Sequence, residues 1–307
     1  VLWANSAGGA NYDFAISSVV DSAGNILLTG GFESPTMSFD STTLTNAGSF
    51  DMFIVKYDAA GNALWAKNEG GANYDEAASV AVDASGEIIV AGQFYSPTIV
   101  FDTTTLINTN VSSYDMFIVK YDASGNVLWA KSGGGTGYDN ATSIVSDPSG
   151  NVILAGRFDS PSMVFGSTTL TNASSSYDMF LVKYDAAGNV IWAKSAGTTD
   201  YDDATSVTVD FSGNIIVTGG FKGSAIVFDS DTLTNASASS YDLFLVIYNA
   251  AGNVVWSKSE GGGNNDLAYA VTADASGNII LAGYFISFTI AFGSTILSNT
   301  SAFLYDM

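Results

Sequence analysis

Apolar and polar positions alternate in short blocks along this chain. Runs of six or seven residues, dense in β-branched and aromatic side chains, are separated by segments rich in Gly, Asn, Asp and Ser. Between residues 117 and 158 there are four such runs: FIVKYD, VLWAKS, TSIVSD and VILAGRF. Runs of this length and composition predict β-strands. The pattern therefore predicts an all-β fold without helices.

The order of these blocks recurs with a fixed period. The five Trp residues are spaced by 62, 64, 63 and 64 residues, so the chain consists of five copies of a unit of about 63 residues. Each copy contains two predicted hairpins, whose turns have the pattern Asp-x-x-Gly-Asn, as at Asp122 and Asp147. Asp can cap such a turn and Gly can supply its positive φ. Calcium binding by these turns is disfavoured, because they lack the ligand ladder of an EF-hand. The Trp residues are Trp3, Trp65, Trp129, Trp192 and Trp256.

Four core strands in each of five copies predict a five-bladed β-propeller, with residues 1–307 as a single domain. The Trp strand is expected to be outermost in each blade and to pack between blades. The chain opens with VLWANS, which matches a fourth strand, and ends with FLYDM, which begins a third strand. The terminal copies are expected to meet at ring closure. The alternative is that the sequence is cut from a longer repeat array.

Composition excludes several classes of function. The chain has no Cys and no His, so it has no disulfide, no Cys/His zinc site and no His-assisted nucleophile. Its net charge of −21 disfavours nucleic acid as a partner, and no apolar run is long enough for a membrane helix. A propeller glycosidase would need distinct carboxylates in one funnel, whereas the recurrent Asp residues here are near-equivalent. An enzyme is not expected.

One set of five Asp residues recurs after a Gly-rich stretch, at the start of the predicted innermost strand, and four of them follow a Tyr. Their carboxylates could encircle a channel mouth and bind Ca²⁺ or polyols. Alternatively, each Asp caps the backbone of the loop between copies. Recurrence in every copy favours the cap, because a residue that maintains the fold must recur. The set is Asp13, Asp75, Asp139, Asp202 and Asp266.

An insertion rich in Ser, Thr and Asn follows the second hairpin strand of each copy, as between Phe158 and Ser176. It is too long for a tight turn, and its recurring Phe and Leu predict an extra small β-hairpin. Loops carry function more often than the scaffold does. The recurring Phe and Asn residues are Phe39, Phe101, Phe165, Phe228, Phe292, Asn46, Asn108, Asn172, Asn235 and Asn299.

Two positions after the strand that precedes this insertion differ between otherwise similar copies. From their variation we infer that the fold does not require them. They are either drifting exposed positions or a partner surface, whose most contact-prone residues would be Arg157, Tyr95, Lys222, Tyr284 and Asp159. The first position holds Gly31, Gln93, Arg157, Gly220 and Tyr284. The second holds Glu33, Tyr95, Asp159, Lys222 and Ile286.

The repeat unit resembles the bacterial β-propeller repeat called SBBP. The similarity is carried by Asp115 to Ser132, Tyr138 to Ile144 and Asp83 to Gly92, and it extends over the whole chain. The insertion is similar to versions in secreted proteins of Bacteroidetes, many of which use the type IX secretion pathway. The resemblance implies an extracellular or cell-surface interaction module and supplies no catalytic residues.

Together these observations predict a non-catalytic interaction module, adhesin-like or partner-binding, at the outer cell surface or outside the cell. Its partner would be a protein or a glycan, without nucleic acid, membrane insertion or a required cofactor, although Ca²⁺ is left open. One alternative is a lectin with a carbohydrate site in each blade. Another is a structural spacer in a longer extracellular array.

Overall fold

The computed structural model describes residues 2–172, 174–299, 301 and 305–307. All regular structure in these residues is β-strand, which confirms the predicted fold class. Each repeat is built in one order: two core strands, a small two-stranded hairpin, then two further core strands. The fifth repeat is described as far as its small hairpin.

The strands have the following bounds. Repeat 1 contains β1 (Asp13–Val20), β2 (Ile26–Phe32), β3 (Thr36–Phe39), β4 (Thr42–Thr45), β5 (Asp51–Tyr57) and β6 (Ala63–Glu69). Repeat 2 contains β7 (Asp75–Val82), β8 (Ile88–Phe94), β9 (Thr98–Phe101), β10 (Thr104–Ile107), β11 (Asp115–Tyr121) and β12 (Val127–Gly133). Repeat 3 contains β13 (Asp139–Ser146), β14 (Val152–Phe158), β15 (Ser162–Phe165), β16 (Thr168–Thr171), β17 (Asp178–Tyr184) and β18 (Val190–Ala196). Repeat 4 contains β19 (Asp202–Val209), β20 (Ile215–Phe221), β21 (Ala225–Phe228), β22 (Asp231–Thr234), β23 (Asp242–Tyr248) and β24 (Val254–Glu260). Repeat 5 contains β25 (Asp266–Ala273), β26 (Ile279–Phe285), β27 (Thr289–Phe292) and β28 (Thr295–Ser298).

The chain divides into two compact units, and the division falls inside repeat 3. Unit 1 is Val1–Val152 with Asp185–Asn189, and unit 2 is Ile153–Tyr184 with Val190–Met307. Unit 1 contains the four-stranded antiparallel sheets β1-β2-β5-β6 and β7-β8-β11-β12, and unit 2 contains β19-β20-β23-β24. A four-stranded antiparallel sheet repeated along the chain is the blade of a β-propeller. Five blades and a single domain stay predictions, because only two core strands of repeat 5 are described.

The core is formed by the two central strands of each four-stranded sheet. β5, β11 and β17 are buried along their whole length, which explains why their sequences are apolar on both faces instead of alternating. The Trp strand lies at the edge of the sheet, as predicted. The indole N–H of Trp129 donates to the carbonyl of Ala186 at 3.1 Å, and that of Trp3 donates to Ala59 at 3.1 Å. These bonds confirm the predicted packing of Trp between repeats.

The Asp-x-x-Gly-Asn turns have the predicted geometry. Oδ1 of Asp21 accepts from the backbone N–H groups of Ala23 at 3.0 Å and Asn25 at 2.8 Å. Gly24 has a φ of 84°, which disfavours any residue with a side chain. The Asn25 side chain completes the turn by donating to Oδ2 of Asp21 at 2.8 Å. Each turn is therefore closed by side chains of its own sequence.

The insertion forms the predicted small hairpin in every repeat. In repeat 1, Phe39 and Leu44 are buried beneath it, and the amide of Asn46 donates to the carbonyls of Phe32 and Ser49 at 2.7 and 3.2 Å. The hairpin turn requires a positive φ, which Asp40 adopts at 51°. The Asp40 carboxylate accepts from the N–H of Ala63 at 2.6 Å and thereby fastens the hairpin to β6.

The two ends of the sequence differ in how far the strand prediction holds. The predicted fourth strand in VLWANS is wrong, since residues 2–9 have no regular structure. In the other repeats the Trp strand pairs with a preceding third strand, and none of the described residues pairs in this way with residues 2–6. Asp306 pairs with Phe285, as Asp242 pairs with Phe221, so it occupies the first position of a third strand. Phe303 and Leu304 of FLYDM lie outside the described residues.

Candidate partner-binding face

Each Asp of the predicted Asp set caps the loop that enters its repeat. Asp75 is fully buried. Its Oδ1 accepts from the N–H groups of Tyr95 and Ser96, both at 3.1 Å. Its Oδ2 accepts from the Gly71 N–H at 2.8 Å and from the Ser96 hydroxyl at 2.6 Å. Burial raises the pKa of Asp75, and these donors oppose that rise.

The same bonds recur in other repeats. The Ser34 hydroxyl donates to Asp13 at 2.6 Å, and the Ser287 hydroxyl donates to Asp266 at 2.7 Å. The Gly135 N–H donates to Asp139 at 2.8 Å. The geometry fits the backbone-cap interpretation of the Asp set. Within the described ranges no group of three or more acidic side chains is arranged to hold a metal ion, and Ca²⁺ binding by the set stays a prediction.

Repeat 4 makes this cap with exchanged residues. Where the other repeats have Gly and a buried Ser, as at Gly262 and Ser287, repeat 4 has Thr198 and Gly223. The N–H of Thr198 donates to Asp202 at 2.5 Å. A Cβ on Gly262 would lie 2.7 Å from the Ser287 Cβ, so the Gly–Ser pair leaves no room for Thr. The size of the side chain that fits at the Gly262 position therefore depends on the residue at the Ser287 position.

Combining Gly262→Thr with Ser287→Gly is expected to destabilise repeat 5 less than the sum of the two single changes. Gly262→Thr alone introduces a clash, and Ser287→Gly alone removes a buried hydrogen bond; each is expected to cost about 1–3 kcal/mol. Contacting sites that compensate each other show coupling energies of about 0.5–3 kcal/mol. Equilibrium unfolding of the four proteins measures the coupling, and strict additivity would contradict the exchange.

In repeats 2 and 3 the first variable position contacts the repeat that follows it. In repeat 2, Gln93 accepts a hydrogen bond from the amide of Asn140. In repeat 3, the Arg157 guanidinium is 3.0 Å from the carboxylate of Asp203 and 4.9 Å from the ring centre of Tyr177. These side chains therefore join neighbouring repeats.

Gly220, at the first variable position of repeat 4, also adjoins the next repeat, where its lack of a side chain leaves room for a neighbouring residue. A Cβ at this position would lie 2.5 Å from Cδ2 of Leu267 in the next repeat. Gln93, Arg157 and Gly220 therefore have neighbours in the next repeat, which counts against the prediction that the fold does not require the first variable position. The residue that it faces also differs from repeat to repeat: Asn140, Asp203 and Leu267. A role of Arg157 in partner contact stays a prediction.

The second variable position lies at the surface end of the same loops and is half-buried at Glu33, Asp159, Lys222 and Ile286. Tyr95 packs against Tyr114, with ring centres 5.0 Å apart. Partner contact through Tyr95, Asp159 and Lys222 also stays a prediction. In unit 2, Tyr284 packs against Tyr305 at 4.6 Å, in an edge-on arrangement.

Aromatic rings form a continuous row across the three repeats of unit 1, which we call the tyrosine ladder. Successive ring centres are 5.6, 4.8, 6.0 and 5.6 Å apart. Tyr95 packs beside the row, against the fourth ring, Tyr114. Such spacings are typical of stabilising aromatic pairs. The last ring remains 39% exposed, so the row is open to a partner. The ladder consists of Phe14, Phe50, Tyr74, Tyr114 and Tyr138, with Tyr95 at its side.

Backbone bonds between repeats hold the ladder in place. The N–H of Asp75 donates to the carbonyl of Phe50 at 2.9 Å, and the N–H of Asp139 donates to that of Tyr114 at 2.8 Å. The sequence prediction singled out the Asp set but missed the second recurring aromatic–Asp pair, which precedes each third strand. The recurrence of this aromatic–Asp pair is the sequence signal from which the ladder could have been predicted. Its members are Phe50, Tyr114, Tyr177, Tyr241 and Tyr305.

The hydroxyl groups of Tyr74 and Tyr114 are neutral at physiological pH. Burial raises the pKa of Tyr74, and its hydrogen bond to Glu76 raises it further. Burial also raises the pKa of Tyr114. The ladder therefore offers aromatic faces and hydroxyl groups, with the carboxylate of Glu76 among them.

Protein stability is expected to fall as pH rises from about 4 to about 8. Burial raises the pKa of Asp202 to about 8, that of Glu69 to about 7 and that of Asp242 to about 6. The folded chain therefore binds protons that the unfolded chain has already released, and this stabilisation is lost as pH rises. Burial alone would raise the pKa of Asp21, but its bonds to Asn25 and Lys56 lower it to about 2. The stability that this group contributes is therefore lost as pH falls below about 4. Melting temperatures measured across this range test the expectation. Asp202→Asn should flatten the dependence of melting temperature on pH. A wild-type melting temperature that rises from pH 5 to pH 8 would contradict the expectation.

Comparison with known proteins places the chain among repeat proteins without assigning a family. No protein-family model matches it. It is 31% identical over 299 residues to an uncharacterised WD repeat-containing protein of Acanthamoeba polyphaga mimivirus, covering 82% of this chain and 21% of that protein. It is 29% identical over 185 residues to the regulatory protein FlaEY of Caulobacter vibrioides, covering 59% of this chain and 19% of that protein. The chain thus spans about a fifth of the length of these relatives.

Two solved structures show distant similarity at 10% identity. A protein of unknown function from Bacteroides caccae aligns with a TM-score of 0.40 over 85% of this chain and 70% of the other. The WD40 domain of Pan2 from Neurospora crassa aligns with a TM-score of 0.34 over 87% and 85%. The propeller assignment rests on the sheet topology described above. The SBBP resemblance and the type IX route stay predictions. No helix in the described part of the chain is long and apolar enough to cross a membrane.

Proposed function

We propose that the chain is a non-catalytic scaffold that binds a protein partner through the tyrosine ladder. The observation that carries the proposal is the continuity of the ladder across three repeats. Tyr supplies a large contact area at low cost in side-chain entropy, and it is enriched at protein interfaces. Similarity to a protein named for its WD repeats supports a scaffold role.

The proposal includes a location outside the cell or on its outer surface, with an adhesin-like role. It is motivated by the net charge of −21, which suits an exterior rich in salt and calcium. Labelling of the protein on intact source cells tests this part separately. Labelling only after lysis would reject the location and leave the binding proposal in place.

The binding proposal is tested by selecting ligands from a displayed peptide library on the full chain. Affinities of the selected peptides are then measured for wild type, for Tyr95→Ala/Tyr138→Ala and for Phe211→Ala. Phe211 is the matched control, since it is an aromatic residue 86% exposed on a turn outside the ladder. We expect the double variant to weaken binding by about tenfold or more, as for aromatic hot spots, and the control to bind as wild type. Peptides that bind all three proteins equally would reject the ladder as the contact surface.

A glycan array, run with calcium and then with chelator, tests the lectin alternative. Saturable binding of sugar near five sites per chain would favour the lectin, because each repeat would then carry its own site. Loss of that binding in chelator would indicate a metal at the Asp set. Absence of sugar binding, together with ladder-dependent peptides, is the outcome expected from the proposed function.

A further inference from the structure

We propose that the partner of unit 1 is an extended peptide whose Lys or Arg side chain enters a cleft in repeat 1 while its flanking apolar residues lie on the tyrosine ladder. This inference rests on the proposed function and adds to it the chemical class of the partner. It is carried by the cleft, the charge around it and its continuity with the ladder.

The cleft is polar and has room for one long side chain. Its volume is about 340 Å³, and its wall includes Asn11, Glu33, Asn46 and Ser49. The Asn46 amide is fixed by two backbone carbonyls, and its Oδ1 accepts from the Gly48 N–H at 2.7 Å. This wall is therefore rigid before any ligand binds, which reduces the entropy lost on binding.

Glu33 supplies the charge in this cleft. One carboxylate oxygen, Oε2, accepts from the Tyr12 N–H at 3.3 Å. A carboxylate offers about four lone-pair sites, so this single long bond leaves capacity for a guanidinium or an ammonium group. The equivalent positions hold Tyr95, Asp159, Lys222 and Ile286, so Glu occurs at this position in repeat 1 alone. Repeat 3 has a shorter carboxylate at this position, Asp159, and repeats 2, 4 and 5 have none.

Lysine residues of unit 1 do not neutralise this surface. Lys56 is 3.0 Å from the carboxylate of Asp21, and Lys120 is 2.9 Å from that of Asp83. Lys67 and Lys131 are on the Trp strands β6 and β12. None of these lysines lines the cleft or belongs to the ladder. The described residues that line the cleft or form the ladder include no Lys or Arg. A face with carboxylates and aromatic rings of this kind attracts a positively charged partner, and Tyr rings also bind cations directly.

The cleft continues into the ladder along the chain. Asn11 precedes Tyr12, which is 80% exposed, and Ser49 precedes Phe50. The Phe50 ring is 5.6 Å from Phe14 and 4.8 Å from Tyr74. A peptide that places its cation beside Glu33 would therefore extend its neighbouring residues along these rings.

The test uses a short fluorescein-labelled peptide with one Arg between two Phe residues, and the same peptide with neutral citrulline in place of Arg. Fluorescence anisotropy gives the Kd for wild type, Glu33→Gln and Asp231→Asn. Asp231→Asn removes the same charge from β22, which is in neither the cleft nor the ladder. We expect both citrulline and Glu33→Gln to weaken binding about tenfold, as for loss of one charged pair. We expect Asp231→Asn to change it less than twofold, and added salt to weaken the Arg peptide.

Several outcomes would overturn the proposal. Equal binding of the citrulline peptide would show that no cation is recognised. An equal effect of Glu33→Gln and Asp231→Asn would show attraction to the net charge alone. Glu33→Gln is nearly the same size as Glu, and an unchanged melting temperature separates loss of binding from loss of folding. If library selection returns ladder-dependent peptides without Lys or Arg, the proposed function stands and this inference fails.

Discussion

Asp75→Ala is expected to lower the free energy of unfolding by about 3–5 kcal/mol. The substitution removes the acceptor of three backbone N–H groups and one hydroxyl group. The side chain is fully buried, so the donor groups left behind could not all reach water. The measurement is denaturant unfolding followed by Trp fluorescence, because the Trp residues report on the junctions between repeats.

Two further variants separate the cap from a metal site at this position. Ser96→Ala removes one of the four bonds and also the acceptor of the Asn73 N–H at 3.0 Å, so it is expected to cost about 2 kcal/mol. Asp75→Asn keeps one acceptor oxygen and should lie between Ser96→Ala and Asp75→Ala. If the carboxylate is a cap, wild-type stability should be the same in calcium and in chelator. If Asp75→Ala lowers the free energy of unfolding by less than Ser96→Ala does, the carboxylate is not the main hydrogen-bond acceptor of this loop.

Lys120→Ile is expected to destabilise the chain by about 3–5 kcal/mol, the usual cost of breaking a buried ion pair. The Lys120 side chain is completely buried, and its Nζ is 2.9 Å from Asp83 and 2.6 Å from Glu87. The Asp83 side chain is only 2% exposed, so loss of the ammonium group leaves a carboxylate charge with little access to water. Equilibrium unfolding at pH 7 measures the loss.

Repeat 4 provides a natural control for the lysine substitution. It has Ile247 at the position of Lys120, and the corresponding turn residue, Asp210, is half-buried. Combining Lys120→Ile with Asp83→Asn should recover part of the stability, because the carboxylate left without a partner is then that of Glu87, whose side chain is 34% exposed to water. Ile247→Lys should change stability by no more than about 1 kcal/mol, as for a partly exposed pair. A double variant no more stable than Lys120→Ile would contradict the ion-pair explanation.

The features that the sequence predicted correctly are those set by local rules. Asp21 and Gly24 close their turn with atoms from five consecutive residues, so the motif alone specifies the geometry. The small hairpin followed from recurring residues such as Phe39 and Leu44, which alternate with polar ones. The edge position of the Trp strand followed from repeat order. Such features need no knowledge of what lies across a junction.

Features that depend on a distant partner could not be predicted in this way. Gln93 and Asn140 are far apart in sequence, and the sequence around either residue does not indicate that the other is its hydrogen-bond partner. Variation at such positions suggested that they lack structural contacts, whereas the structure shows a hydrogen bond between the two side chains. The tyrosine ladder was missed for a related reason: its rings come from loops of successive repeats and meet only after the sheets are placed side by side. The strand expected in VLWANS failed because a strand also needs a hydrogen-bonding partner.

The contacts at the first variable position restrict how the gene for such a protein can change. Near-identical repeats favour unequal recombination, which deletes, duplicates or transposes whole units. Gln93 faces Asn140, Arg157 faces Asp203, and Gly220 leaves space for Leu267, so repeats 2, 3 and 4 are each matched to the one that follows. A transposed repeat 4 placed after repeat 2 would bring Asp203 against Gln93 and leave Arg157 without its carboxylate. Selection for folding is therefore expected to preserve the order of the repeats even while their individual sequences converge.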